Sequence, residues 1–192
     1  MDNHLLDGAR SVFCRKGAAN SSLEEIASGL GISKHTIYRR YRNKLALLEA
    51  VVARDIARFR KALSASAGEG LDPLDALRRT ALRYVEIGSS RDYASFYLSV
   101  GAEAVFSDPI RERLRQWSSV ALEPLIDAIA VAQSAGSIRC GDPSAIGEIL
   151  VDLLEGVNNR VRLIGGASVD GSVVRLLFDR RWEVFMSAMV RG

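Results

Sequence analysis

Cysteine and histidine are scarce in this chain of 192 residues, which has two of each. Cys14 and Cys140 lie far apart, and neither has another Cys or His at metal-ligand spacing. The sequence therefore predicts neither a disulfide framework nor a zinc site, and we expect no metal and no cofactor. We interpret both cysteines as small apolar residues, because free cysteine is often simply buried.

Long apolar runs are missing as well. No segment approaches the roughly 18 consecutive apolar residues that a membrane-spanning helix requires. The first residues, Met1 to His4, lack the basic stretch and apolar segment of a signal peptide. These absences predict a cytoplasmic protein without membrane contact. Since 48% of the residues are hydrophobic, we expect a globular chain with a substantial core.

Signatures of enzyme chemistry are also absent from the sequence. There is no nucleophile-elbow pattern, no phosphate-binding glycine loop and no metal-ligand spacing. The two histidines, His4 and His35, both lie near the N-terminus. We therefore predict that the chain is not an enzyme and has no catalytic residues.

Helical periodicity runs along almost the whole chain, and no segment alternates as a strand would. Three of the four prolines follow Asp72, Asp108 and Asp142, and each pair can supply an N-cap and a first helical residue. Pro124 falls within a helical pattern and predicts a kink or a break. The small residues at 64–70 predict a loop after a long fourth helix. The predicted fold class is all-α, with about nine to ten helices.

The beginning of the chain has the signals of three helices. A basic turn ends the first helix at Gly17, and Ser22 stands three residues before Glu25 as in a capping box. Gly31 ends a short second helix, and Ser33 can cap a third. Two short helices joined by a glycine turn, behind a longer one, predict a helix-turn-helix.

The net charge of +3 is unevenly distributed. Residues 1–48 contain eight Lys and Arg against four Asp and Glu, a net +4, whereas residues 49–192 carry −1. Five of those cations fall within Lys34–Lys44. With Ile37 and Tyr41 directed to the core, the outer face of the third helix has cations, hydroxyls and an imidazole but no acid. Such groups donate to phosphate oxygens and base edges, which favours DNA binding over a merely solvated basic face.

Four segments together resemble the DNA-binding domain of TetR-type bacterial transcription regulators. They are Leu5–Gly17, Ser22–Ala27, Gly31–Tyr41 and Lys44–Leu48. The resemblance implies an N-terminal helix-turn-helix domain over 1–48 and a C-terminal helical bundle for ligand binding and dimerisation over 49–192. An acid commonly follows the lysine of the last segment in that family, and here it is Leu45, which affects only a local helix-start interaction.

The resemblance and the outer face of the third helix together give the predicted DNA-binding set. It consists of Ser22, Ser33, Lys34, His35, Thr36, Tyr38, Arg39, Arg40 and Lys44. Within it, Lys34, His35 and Arg39 are the candidates for base edges. The candidates for phosphate contacts are Ser22, Thr36, Tyr38 and Lys44. Tyr41 is interpreted as a core aromatic and is left out of the set.

Two very apolar stripes occur near the end of the chain, over 146–164 and 174–189. In TetR-type proteins the last two long helices pair across a two-fold axis. The resemblance therefore implies a homodimer on a double-stranded operator that is an inverted repeat, with half-sites about 34 Å apart or a multiple of it. The alternative is that both stripes are intramolecular core. The predicted dimer interface is Ile149, Leu153, Val157, Val161, Leu177, Trp182 and Phe185.

Aromatic residues beside a few polar groups are typical of a buried small-molecule pocket, although each can also be plain core. The predicted ligand-binding set is Tyr84, Phe96, Tyr97, Glu103, Trp117, Asn158 and Arg162. The segments 97–114 and 135–143 also resemble the C-terminal domain of the AefR-like TetR subgroup. The expected effector is a small hydrophobic or amphipathic molecule.

The function implied is that of a sequence-specific DNA-binding regulator of transcription. A repressor released by an effector is the expected form, although a minority of the family activate. A non-specific nucleoid-type binder would need basic charge throughout the chain, which residues 49–192 do not have. The remaining alternative is a helical protein-interaction adaptor without specific DNA binding. Loss of Lys34, Tyr38 and Lys44 would have favoured the adaptor, and all three are present.

Overall fold

The computed structural model describes residues 2–68, 70–165 and 169–190. Over those residues it consists of nine helices without a strand, which confirms the all-α prediction. The helices are α1 (Asp2–Lys16), α2 (Leu23–Gly29), α3 (Lys34–Arg40), α4 (Lys44–Ala67), α5 (Pro73–Ser89), α6 (Arg91–Phe106), α7 (Asp108–Ser134), α8 (Pro143–Gly165) and α9 (Gly171–Met189). In the described part of the chain, none of them is both long and apolar enough to cross a bilayer.

Two of the three Asp–Pro pairs begin helices as predicted. The carboxylates of Asp72 and Asp142 accept hydrogen bonds, at 2.9 Å and 3.1 Å, from the backbone N–H two residues further on. At the third pair the helix begins one residue earlier, with Asp108 itself as the first residue of α7. The Asp108 carboxylate there forms an ion pair with Arg111 at 2.8 Å.

The sequence predicts a kink or a break at Pro124, and the break is wrong because α7 continues through this residue as one helix. A proline inside a helix removes one backbone hydrogen bond, which tertiary packing can offset. Leu125 and Ile129, in the turns that follow, are fully buried. Burial of this apolar face holds the helix together where the local signal predicts an interruption.

The loop after α4 begins later than the sequence predicts. Ser64–Ala67 are helical, and the turn starts at Gly68, whose φ of +66° is readily adopted only by glycine. Small residues do not end this helix, because the fully buried Leu63 anchors its last turns in the core. One residue of the predicted loop, Glu69, lies outside the described residues.

The chain forms two compact packing units. The first comprises the chain up to Arg58 together with Ser95–Val120, and the second comprises Phe59–Ala94 and the chain from Ala121 onward. The boundaries therefore fall within α4, α6 and α7. These are units of packing, and the functional division at residue 48 stays a prediction.

The core of the first unit lies beneath the three N-terminal helices. Phe13, Ile26 and Ile37 are fully buried there, and Phe96 from α6 joins the same cluster. Ile37 thus faces the core as predicted. Tyr41 is half-buried against the cluster, in agreement with its interpretation as a core aromatic. Because Ile37 points inward, the opposite side of α3 faces outward.

The core of the second unit lies between α5, α8 and α9, which pack on one another. It is formed by residues such as Leu77, Leu150 and Phe178, which are fully buried. Burial of each such side chain contributes about 1.5–3 kcal/mol. The ring of Trp182 stacks on that of Phe178, with 5.9 Å between their centroids.

The predicted dimer interface divides by burial. Four of its members are buried in the core of their own unit, and we assign them to that core as a correction: Val157, Val161, Trp182 and Phe185. Leu153 and Leu177 are half-buried, and Ile149 is exposed. Both helices keep exposed apolar side chains, which are Ile149, Leu163, Ile164, Leu176 and Val184. The apolar stripe on each helix is broader than one helix face. Its pattern alone therefore does not tell which apolar residues pack into the chain's own core and which remain exposed.

Candidate nucleic-acid interface

The helix-turn-helix is formed by α2 and α3, which pack together. Ser22 begins α2, and its hydroxyl oxygen accepts a hydrogen bond from the backbone N–H of Glu25 at 3.1 Å. Gly31 has a φ of +64°, so the chain reverses there in the left-handed region that favours glycine. The N–H of Ile32 then donates to the carbonyl of Ala27 at 3.0 Å. The turn is thus closed by backbone bonds that fix the direction in which α3 starts.

Ser33 and Thr36 hold the first turn of α3. The Ser33 hydroxyl oxygen accepts from the Thr36 backbone N–H at 3.1 Å, and the two hydroxyls are 2.8 Å apart in a further hydrogen bond. This cap satisfies a backbone donor that the short helix would otherwise leave unpaired. Both residues therefore have a structural role, and their predicted DNA contacts stay predictions.

The side chains predicted at base edges are exposed on α3. Lys34, His35 and Arg39 all lie on its solvent side. Within the described residues, no hydrogen bond or ion pair engages the side chains of His35 and Arg39. Arg40 is exposed too, but it also takes part in an interaction within the chain. The structure thus leaves the imidazole of His35 and the guanidinium of Arg39 available to donate to an external partner.

An acid from α2 lies beside this basic face, which no sequence pattern predicts. The Tyr38 hydroxyl, on a side chain that is 46% exposed, donates to Glu24 Oε1 at 2.6 Å. This hydrogen bond lowers the pKa of the Glu24 carboxyl and raises the pKa of Tyr38, and the charge of Lys34 also lowers the former. The two residues are 14 positions apart, so no local pattern connects them. The negative charge of Glu24 therefore contributes to the electrostatic potential of this face.

Lys44 reaches back from the start of α4. Its half-buried side chain donates from Nζ to the carbonyl of Ala19 at 2.8 Å. The helix itself is capped by Asn43, whose Oδ1 accepts from the backbone N–H of Ala46 at 2.8 Å. The Asn43 cap thus stabilises the start of α4, where Leu45 stands in place of the acid that is common in TetR-type proteins. Asn43 was missed, although asparagine is among the preferred N-cap residues.

A network of ion pairs binds α1 to α4 within the first unit. Arg10 Nε lies 2.5 Å from Asp55 Oδ2, and Arg54 contacts Asp55 at 3.1 Å and Asp7 at 2.8 Å. The Arg10 guanidinium also lies over the ring of Phe96 from α6, 5.1 Å from its centroid. Both arginines of the α1–α4 pairs are largely shielded from solvent. Consequently α1, and the helices that pack on it, are fixed to the first half of α4.

The predicted ligand-binding residues fall into both packing units. Those in the first unit are Phe96, Tyr97, Glu103 and Trp117. Those in the second unit are Tyr84, Asn158 and Arg162. Phe96 is buried in the core and Trp117 packs against it, whereas Tyr97 is exposed. The set as a whole stays a prediction, with Phe96 accounted for by core packing.

Glu103 allows a test by pH. Its Oε2 is shielded from solvent and has no hydrogen-bond partner among the described residues. Burial raises the pKa of its carboxyl, and the charge of Lys44 acts in the opposite direction. The folded chain therefore disfavours the ionised form. Protonation of Glu103 therefore stabilises the folded chain relative to the unfolded one. This stability is fully present below the ordinary pKa of 4.5, and it is lost as the pH rises through the pKa that Glu103 has in the folded chain.

We expect Glu103→Gln to raise the midpoint of thermal unfolding at pH 7.5 by about 2 °C or more, because it removes a charge that burial disfavours. The gain should shrink as the pH falls towards 4, where the wild-type carboxyl is protonated. Glu112→Gln is the matched control, since Arg115 and Gln116 hydrogen-bond that exposed carboxylate and lower its pKa. It should give no gain at pH 7.5. A Glu103→Gln gain that is independent of pH would contradict this account.

We expect Glu24→Gln to tighten binding to a random-sequence duplex about fivefold at low salt. The substitution removes the charge that repels phosphates. It also weakens the acceptor of the Tyr38 hydroxyl, because an amide oxygen is a poorer acceptor than a carboxylate. Fluorescence anisotropy at two salt concentrations would measure it, and the gain should fall at the higher one. Glu49→Gln makes the same charge change on α4, where the carboxylate pairs with Arg113, and should leave affinity nearly unchanged. Equal gains in both variants would contradict a local role for Glu24.

Comparisons with known proteins agree with this geometry. Residues 5–51 match the family model for bacterial regulatory proteins, tetR family. An HTH-type transcriptional regulator of Mycobacterium bovis is 29% identical over 140 residues, which are 72% of this chain and 69% of that protein. The HTH-type transcriptional repressor BepR of Brucella suis is 24% identical over 90% of both chains. FadR of Bacillus subtilis, solved with stearoyl-CoA, has a TM-score of 0.81 at 16% identity and covers 99% of this chain and 100% of its own.

The fold, the exposed face of α3 and the matched N-terminal segment define a DNA-binding regulator of transcription with a helix-turn-helix. Over residues 5–51 the chain matches the TetR family of bacterial regulatory proteins, and its curated relatives are named as regulators of transcription. The resemblance that the sequence motifs carry is thereby confirmed at the level of the family. The likeness of the C-terminal part to the AefR-like subgroup stays a prediction.

Proposed function

We propose that the chain is a cytoplasmic, homodimeric repressor that leaves its operator when a small molecule binds the C-terminal domain. The observation that carries this proposal is the outward face of α3. Lys34, His35 and Arg39 are exposed there, while Ile37 anchors the opposite side in the core. One such helix fits the major groove of one half-site. The relative BepR is named a repressor, which supports the proposed sign of regulation.

The dimer is proposed from the exposed apolar side chains of α8 and α9. Ile149 on α8 is 53% exposed, and Leu176 and Val184 on α9 are 52% and 58% exposed. Several large apolar side chains exposed on two neighbouring helices are typical of an interaction face. A two-fold axis through such a face brings the same surface of two copies together, and the two α3 helices then read an inverted repeat.

The coupling between effector and DNA is proposed to run along α4. This helix runs without interruption across the boundary between Arg58, which belongs to the first unit, and Phe59, which belongs to the second. The ion pairs of Arg10 and Arg54 fix α1 to its first half. If an effector favours one position of α4, the N-terminal helices follow, and the spacing of the two recognition helices changes. The effector then shifts the dimer between states that fit and do not fit the operator.

A small hydrophobic or amphipathic effector is proposed because the C-terminal domain has aromatic residues beside a few polar groups. A protein of the same fold, FadR of Bacillus subtilis, was solved with the amphipathic stearoyl-CoA. We propose no catalytic activity, since the curated relatives of this chain are named as transcriptional regulators.

Selection of duplexes from a random pool would test the proposal. We expect the wild-type chain to enrich an inverted repeat with half-sites about 34 Å apart or a multiple of it. The double variant Lys34→Ala/Tyr38→Ala should lose the enrichment at the same salt concentration. Lys61→Ala, which removes an exposed cation from α4, should enrich the same motif as wild type. Failure of the wild type to enrich any motif at several salt concentrations would favour the protein-interaction adaptor instead.

A further inference from the structure

A partly buried polar cluster joins α5 and α8 within the second unit. The Tyr84 hydroxyl donates to Glu155 Oε1 at 2.9 Å, and the side-chain N–H of Asn158 donates to the same oxygen at 2.8 Å. The Arg162 guanidinium lies 3.7 Å from Glu155 Oε2 and donates to the carbonyl of Gly88 at 3.3 Å. Three of these residues were predicted individually as ligand-binding, and Glu155 is the acid that connects them.

Two atoms of this cluster have no hydrogen-bond partner in the described part of the chain. They are Asn158 Oδ1 and Arg162 Nε, and both are shielded from solvent. Asn158 is a fully buried residue. Its amide cannot be turned to pair the oxygen, because its nitrogen already donates to the Glu155 carboxylate. Buried polar atoms in folded proteins are almost always paired, so this acceptor and this donor call for a partner from outside the described residues.

The two unpaired atoms suit one small polar group. Asn158 and Arg162 are four residues apart on α8 and therefore lie on the same face of the helix. A group with one N–H or O–H and one carbonyl oxygen can donate to the Asn158 oxygen and accept from Arg162 Nε. Arg162 already lies opposite the carboxylate of Glu155, so the cluster has no charge to neutralise. An anionic group would add a second negative charge beside Glu155, which favours an uncharged group.

An aromatic cluster continues from the polar one through Tyr84. The ring of Phe59 meets that of Tyr84 edge-on, with 5.7 Å between centroids at an angle of 79°. On another side Phe59 stacks on Tyr93 at 5.5 Å and 21°. Aromatic rings in such offset and edge-on arrangements also pack well on a further flat ring. The polar cluster thus adjoins packed aromatic side chains, which are the kind of lining that suits a planar apolar body.

We propose that Asn158 and Arg162 bind the uncharged amide-type group of an effector whose aromatic body packs beside Tyr84 and Phe59. This inference rests on the proposed effector-regulated function and names the class of effector: an uncharged aromatic carboxamide or a molecule with the same adjacent donor and acceptor. Glu155 is a positioning residue in this site, since it fixes the orientation of both side chains that bind. Gly88 leaves the space in which Asn158 approaches α5.

The test compares two probes that differ in charge but hardly in shape, 2-naphthamide and 2-naphthoate. Calorimetric titration of the full chain, without DNA, should show the amide binding about tenfold or more tightly than the carboxylate. Asn158→Leu removes the unpaired acceptor and should weaken amide binding at least about tenfold. Arg162→Lys keeps the charge opposite Glu155 but removes Nε, and serves if Asn158→Leu fails to fold. Arg160→Gln, on an exposed position of α8, should bind like wild type.

Three results would overturn the proposal. They are tighter binding of the carboxylate, unchanged amide binding in folded Asn158→Leu or Arg162→Lys, and no amide binding to wild type at about 1 mM. The last would mean that water alone completes the cluster. Because the titrations contain no DNA, the outcome is separate from that of the duplex selection. A chain that selects an operator but does not bind the amide loses this inference and keeps its proposed role in DNA binding.

Discussion

We expect Phe185→Ala to lower the free energy of unfolding by about 3–5 kcal/mol. Phe185 is 1% exposed in the core of the second unit, and its ring packs against that of Trp182 with 5.4 Å between centroids. Truncation to alanine removes this buried area and leaves a cavity that the surrounding helices fill only in part. Urea denaturation followed by far-UV circular dichroism, at two protein concentrations, would measure the loss.

The contrasting variant is Ile149→Arg. Ile149 lies on α8 with 53% of its surface exposed, so a charge there can be solvated in a single chain but not at an apolar interface between two. We expect this variant to remain folded and to sediment as a monomer. If Phe185→Ala instead kept its stability and became monomeric, Phe185 would be an interface residue, as the sequence suggested, and its assignment to the core would be wrong.

Features with local signals were predicted well from the sequence. Ser22 and Ser33 cap the helices that follow them, because the preference for a hydroxyl at that position depends on backbone donors only a few residues away. Gly31 forms the turn for an equally local reason, its positive φ. The inward direction of Ile37 follows from helical periodicity alone, and with it the outward direction of His35 and Arg39.

Features that depend on contacts distant in sequence were not predicted. Glu24 reaches Tyr38 only because the turn brings α2 beside α3. Glu155 was passed over, since glutamate is usually solvated, yet it accepts from both Tyr84 and Asn158 once α5 and α8 pack. In the same way, an apolar stripe shows which residues avoid water, but the packing of the other helices decides which of them remain exposed for a second copy of the chain.

We expect Arg39→Ala to weaken binding to the selected operator by about 5- to 150-fold, while binding to a random-sequence duplex falls much less. Arginine can donate two hydrogen bonds to one guanine, an interaction that discriminates between bases by about 1–3 kcal/mol. The Arg39 side chain is exposed on α3 without an ion pair to the described residues, so no such ion pair has to break when it binds DNA. Fluorescence anisotropy with both duplexes over a salt series would measure the two effects.

Arg42→Ala is the matched control, because it removes an exposed arginine that lies beyond the end of α3. We expect it to weaken both duplexes alike, as loss of a phosphate contact does, and to reduce the slope of log affinity against log salt by about one. If Arg39→Ala behaved in the same way, Arg39 would contact the phosphate backbone instead of a base. If Arg39→Ala changed neither affinity, the exposed face of α3 would not be the surface that reads DNA, and the proposed repressor function would lose the observation on which it rests.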